Sequence, residues 1–119
     1  MSYEKITTQT FEEVVVAKRQ SAVLVFGAEW SGNSEIMDSM MERVSQEFGS
    51  IIQFFKVDLE KQNEISHFFG VHSVPTTILI KDGEVIDFIK GFIPAKKVRK
   101  KLKASFLESN EDSSSLSQL

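Results

Sequence analysis

Apolar positions along this chain change their period several times, and each change marks a predicted element. Ala22-Val23-Leu24-Val25-Phe26 is an unbroken run rich in branched side chains. Such a run suits a strand covered on both faces, whose neighbours are expected to be parallel strands reached by helical crossovers. From about Ser34 the period turns helical, with Ile36, Met37, Met40, Met41, Val44 and Phe48 on one side and Asp38, Ser39, Glu42 and Arg43 on the other. Gly49 is expected to stop that helix in a left-handed cap. Upstream, Ile6 falls in a short extended segment, and Thr10-Phe11-Glu12-Glu13 reads as a capping box opening a first helix that ends near Gln20 and buries Phe11, Val14 and Val15.

The second half follows the same logic. Ile51 to Asp58 reads as a strand, and Asn63 to Phe69 as a short helix closed by Gly70. After Val71-His72-Ser73-Val74-Pro75-Thr76 comes the strand Thr77-Ile78-Leu79-Ile80. Lys81-Asp82-Gly83-Glu84 supplies a tight hairpin whose two central positions want φ > 0. Val85 to Lys90 is the returning strand. Pro94 fits the first turn of the last helix, and Ala95, Val98, Leu102 and Phe106 form its apolar stripe. The order β-α-β-α-β-α-β-β-α predicts an α/β fold: a mixed central sheet of about five strands, flanked on its faces by four helices.

Composition adds boundaries. The 119 residues are enough for one domain with a sizeable core, placed at 1–108, and the Ser-, Glu- and Asp-rich stretch 109–119 is expected to be a disordered polar tail. Ten phenylalanines suggest an interior filled with benzyl groups, and the methionines at 37, 40 and 41 read as core filling. No apolar run is long enough to span a bilayer, so no membrane partner is expected. Met1-Ser2-Tyr3-Glu4-Lys5 lacks the basic start and apolar stretch of a signal peptide, which makes cytoplasm the expected location. Net charge is −3, yet Lys96, Lys97, Arg99, Lys100, Lys101 and Lys103 hold six of the 14 basic residues. That cluster reads as a solvated helix face. A nucleic-acid site would interleave aromatic or base-reading side chains, and none is present, so no nucleic acid is expected. His67 and His72, with no cysteine in the chain, do not make a structural zinc set, and neither metal nor cofactor is expected.

Three spaced features carry a family resemblance over roughly residues 5 to 107. They are Phe26-Gly27-Ala28-Glu29-Trp30-Ser31-Gly32-Asn33-Ser34 at a strand-to-helix junction, Val74-Pro75-Thr76, and Gly91 between the last strand and the last helix. Together they resemble the thioredoxin family, which implies a thioredoxin-like fold and a cis bond before Pro75. In that family the residues after the tryptophan read Cys-Gly-Pro-Cys, and a thiol at the helix N-terminus is held as thiolate by the helix dipole and exposed N–H groups. Here both thiol positions are serine, Ser31 and Ser34. Disulfide exchange needs a thiolate to attack and a second sulfur to resolve the product, and a hydroxyl supplies neither. Ser31 and Ser34 are therefore read as vestigial active-site positions serving as local capping or hydrogen-bonding residues, with no catalytic group assigned. Supporting positions differ too: Asn33 replaces the family's active-site proline, Val25 stands where a buried aspartate is usual, Gly27 where an aromatic is common, and Phe92 where a small residue is. An introduced pair of Cys→Ser changes would alter two positions only, so the wider drift favours a naturally cysteine-less protein over an engineered form of an active one.

The resemblance also implies what is left once the thiols are gone. A family member can pair an extended peptide against the cis-proline segment, with main-chain bonds giving affinity and flanking pockets giving selectivity. The expected binding residues are Trp30, Ser31, Gly32, Asn33, Val74, Pro75, Gly91 and Phe92, and the expected partner is a protein or extended peptide taken up by a monomer or weak dimer. Phe92 and Ile93 can equally fold inward against the last helix. Two rival readings stand beside this one. A thioredoxin-pathway protein could act as a non-catalytic partner of an active relative. A hydrolase-type site could use Ser31 as nucleophile and His72 as base, with Glu29 the nearest orienting carboxylate.

Overall fold

Five strands form one mixed sheet in the computed structural model, which describes residues 3–49 and 51–107. They are β1 (Tyr3–Lys5), β2 (Ala22–Gly27), β3 (Gln53–Asp58), β4 (Thr76–Lys81) and β5 (Glu84–Lys90), ordered β1-β3-β2-β4-β5. β3 runs parallel to both β1 and β2, while β4 is antiparallel to β2 and to β5. The central strand β2 thus has one parallel and one antiparallel neighbour, not the parallel pair expected from its unbroken apolar run. Burial on both faces explains the run equally well, because the five residues Ala22 to Phe26 are all enclosed.

Four helices cover the sheet. Helix α1 opens as an α turn, Thr8–Thr10, and continues as a π-helical stretch, Phe11–Ala17; α2 is Gly32–Phe48 and α3 is Asn63–Phe69. Helix α4 is Ala95–Leu102, prolonged by a π-helical stretch, Lys103–Leu107. One core cluster packs Met37, Met40, Met41, Val44 and Phe48 of α2 with Val98 and Leu102 of α4 against Val23, Val25, Phe54 and Leu79. The other sets Phe11 and Val15 of α1 and Ile65 of α3 against Leu24, Phe26, Phe55, Ile78 and Ile80. The alternation along β2 is what lets one strand serve both clusters. Half-buried Ala95 and Phe106 flank the α4 stripe as expected.

Several local expectations are corrected. Helix α1 is capped by Thr7, not Thr10: Thr7 is extended at φ −110° and its Oγ1 accepts the Thr10 N–H, whereas Thr10 is already helical at φ −62°. The helical stretch ends at Ala17 instead of Gln20. Gly49 has φ −64°, so it closes α2 in right-handed geometry without using its conformational freedom. The left-handed cap is found at Gly70 (φ 69°) after α3. Ile36 is 55% exposed rather than core, since the stripe from Met37 to Phe48 already fills the buried face of α2. Only half the phenylalanines are buried, and Phe68, Phe88 and Phe92 face outward. The β3 strand starts at Gln53, two residues later than predicted, and α2 starts at Gly32, two earlier. The hairpin is as expected, with φ 53° at Asp82 and 84° at Gly83. The polar stretch 109–119 lies outside the described residues.

Candidate functional site

The turn joining β2 to α2 is built around Ser31, which is extended (φ −104°) and caps the helix. Its Oγ accepts the Ser34 N–H at 3.1 Å, and its carbonyl receives the N–H groups of Ser34 and Glu35. The hydroxyl thus occupies one of the donors that a helix N-terminus leaves over, which is a structural task that serine performs well. Ser34 is only 3% exposed, and its Oγ accepts the Ala28 N–H at 3.3 Å across the turn. A Cβ at Gly27 would lie 3.1 Å from the Ser34 Cβ and 3.2 Å from its Oγ. Strand end and helix start therefore touch here, and that close approach accounts for glycine at a position where the family commonly has an aromatic. Nothing in local periodicity signals it.

Val74–Pro75 reaches the same end of the sheet from the other side of β2, because Thr76 at the start of β4 pairs with Phe26 near the end of β2. The Val74–Pro75 peptide is cis. Thr76 Oγ1 donates to the Ser73 carbonyl at 2.8 Å, and the Pro75 carbonyl accepts the Gly91 N–H at 2.8 Å. That second bond extends the β4–β5 ladder to the position where Gly91, at φ 86°, turns the chain toward α4. The neighbouring Val74 N–H and C=O make no hydrogen bond among the described residues. Trp30 is 67% exposed and Phe92 44% exposed, while Ile93 packs against the α2–α4 core cluster. The pair expected to turn the same way thus splits, Phe92 outward and Ile93 inward.

The eight candidate binding residues accordingly gather at one end of the sheet: Trp30 and Ser31 on the β2–α2 turn, Gly32 and Asn33 at the start of α2, Val74 and Pro75 before β4, Gly91 and Phe92 after β5. Ile36, just past the first turn of α2, is exposed, although helical periodicity alone places it in the interior. On the β3 side of the turn lies a groove of about 340 Å³ lined by Gly27, Glu29, Glu35, Asp38, Lys56 and Asp58 among others. Two of its walls are tied down: Tyr3 donates its hydroxyl to Asp38 at 2.6 Å, and Lys56 sits 3.8 Å from the same carboxylate. Burial is the largest cause pushing the Tyr3 phenol well above its ordinary range, with the Asp38 charge next.

Nucleophilic chemistry finds little to work with here. A serine nucleophile needs a base within hydrogen-bond reach. No hydrogen bond joins Ser31 to His72 among the described residues; its hydroxyl is engaged with Ser34, and Glu29 is exposed. Among the described residues no cluster of three histidine or acidic side chains is placed to hold a metal ion, and no helix is long and apolar enough to cross a membrane.

Comparison with known proteins agrees with the geometry. The thioredoxin family model matches residues 2–104. Thioredoxin of Bacillus subtilis (strain 168) is 32% identical over 91 residues, covering 76% of this chain and 81% of that protein. Thioredoxin of Mycoplasmoides gallisepticum is 33% identical over 98 residues, covering 82% and 97% respectively. Among solved structures, a single-site mutant of thioredoxin from Halobacterium salinarum superposes with a TM-score of 0.75 at 17% identity, over 86% of this chain and 88% of that one, a likeness of fold. The chain belongs to the thioredoxin family and carries no cysteine with which to perform thiol–disulfide exchange.

Proposed function

We propose that this chain is a thioredoxin-family binding module acting in the cytoplasm: it takes up an extended protein segment across Trp30, Val74, Pro75 and Phe92 and performs no dithiol chemistry of its own. The observation that carries the reading is the Val74 backbone, whose N–H and C=O make no hydrogen bond among the described residues and lie at the same sheet end as two exposed aromatic side chains. An extended segment can bond to such a strip while its side chains lie against the aromatic rims. Serine at both thiol positions supports binding over turnover, because the Ser31 hydroxyl caps α2 and supplies no thiolate.

The test compares wild type with a Trp30→Glu, Phe92→Glu double variant in capture from native lysate, read by mass spectrometry. Both positions are exposed, so the fold should tolerate the changes, and far-ultraviolet circular dichroism checks that it does. A partner enriched by wild type and lost with the folded variant supports the reading. Equal recovery by both proteins rejects this surface as the binding site.

A further inference from the structure

The cations of α4 divide into those the fold uses and those it leaves facing water. Arg99 is held by Glu47 at 2.8 Å and Lys101 by Asp87 at 3.3 Å, so one ties α4 to α2 and the other ties it to β5. Lys103 adds its charge at the same Glu47 carboxylate. Lys96, Lys97 and Lys100 are exposed and form no ion pair among the described residues. Lys96 and Lys100, four apart, share the face of the helix turned away from buried Val98 and Leu102. Helix stability does not account for these lysines. The first turn of α4 carries Lys96 and Lys97 with no acidic residue and no side-chain cap, although the positive end of a helix dipole disfavours cations.

These lysines begin where the binding strip ends. Exposed Phe92 follows β5, and α4 starts three residues later at Ala95. A chain leaving the strip past Phe92 therefore meets Lys96 and Lys97 first, and Lys100 one turn, about 5.4 Å, beyond Lys96. The far side of the strip has the opposite sign. Glu29 precedes Trp30 and Glu35 lies in the first turn of α2, both exposed, both lining the groove beside it, and neither in an ion pair among the described residues.

We propose, resting on the strip as the binding site, that the extended segment it takes is acidic on the side that passes Phe92, where Lys96, Lys97 and Lys100 receive its carboxylates. A uniformly anionic partner, such as a nucleic acid or an anionic lipid surface, is disfavoured, because crossing Trp30 would lay it against Glu29 and Glu35. A protein segment that is apolar over the two aromatic side chains and acidic beyond Phe92 meets no like charge. Lysines at one end of the strip and glutamates at the other fix the direction in which the segment lies. Exposed charges of this kind act on selection and encounter more than on total affinity.

The experiment selects peptides from a random library on wild type and measures their binding by calorimetry to wild type, to Lys96→Glu, Lys97→Glu and to Phe92→Glu. Selected sequences should carry Asp or Glu clustered at one end of an apolar stretch. The double variant should bind them on the order of tenfold more weakly. Serine in place of the peptide's acidic residues should remove that difference, and so should salt near 1 M, where screening acts within about 3 Å. Glutamate suits the first turn of a helix, so the double variant should fold, and circular dichroism checks that it does. Selected peptides without acidic bias, or equal binding to wild type and the double variant, would overturn the proposal and leave the strip standing if Phe92→Glu still abolishes binding. Binding that survives Phe92→Glu would refute the strip itself, and this assignment with it. A single-stranded oligonucleotide that binds wild type as tightly as the selected peptides would also overturn the assignment, by making the lysines a site for any polyanion.

Discussion

Ser31 and Ser34 occupy equivalent places in the motif and do different work. Ser31 caps α2 at its surface, whereas Ser34 is buried and bridges back to the Ala28 N–H. Ser31→Ala should cost about 1 kcal/mol in chemical denaturation, the usual loss of an N-cap. Gly27→Ala should cost a comparable or larger amount, about 1–3 kcal/mol, because its Cβ would press on Ser34 at 3.1 Å. A Gly27→Ala, Ser34→Gly double variant should recover part of that loss, and strict additivity of the two changes would refute the contact. Thr77 gives the opposite sign. Its hydroxyl is buried on β4 beside Val25 and makes no hydrogen bond among the described residues, so Thr77→Val should stabilise the protein by about 1 kcal/mol in the same assay. The serines are legible in the sequence as lost thiols, but the Gly27 contact and the orphan hydroxyl are not, because both depend on atoms that meet only after the sheet forms.

Elements are most legible where a turn or a stripe is chemically obligatory. Asp82-Gly83 forces its hairpin, and the Met37 to Phe48 stripe forces the buried face of α2. Boundaries are least legible where several residues offer the same chemistry. Thr7 and Thr10 can each cap a helix, and the extended backbone at Thr7 decides between them. Thr7→Ala should therefore lower stability by about 1 kcal/mol, and Thr10→Ala by appreciably less, in a side-by-side melt. Ile36 escapes the pattern because it sits one residue before a stripe that is complete without it. The short edge strand β1 is legible only as an extended lead. Its anchor, the Tyr3 hydroxyl on Asp38, joins residues 35 positions apart that no local pattern links. That anchor has a pH signature. Tyr3 is held protonated above its ordinary range, so its contribution is fully present below the unfolded tyrosine pKa and is lost as pH rises through the folded value. Tyr3→Phe should be less stable near neutrality and should show a shallower alkaline decline, followed by denaturation at a series of pH values. An identical alkaline slope in both proteins would contradict the assignment.

Across the whole molecule, the order of elements and the family site are readable because three spaced motifs lie on a matching alternation of strands and helices. What the alternation leaves open is which residues a folded surface exposes. Phe92 and Ile93 are adjacent and both apolar, yet one faces solvent and the other the core. The family scaffold is intact, Ser31 caps α2, and the strip proposed to take an extended segment lies at the same end of the sheet. The chain's one tryptophan lies on that strip and is largely exposed, so its emission reports directly on occupancy. The most direct measurement is a titration of Trp30 fluorescence with extended peptides selected on this protein from a random library. The account predicts a saturable shift to shorter wavelength that Phe92→Glu abolishes. Selected peptides that bind without moving Trp30 emission, or that bind the Phe92→Glu variant equally well, would contradict it.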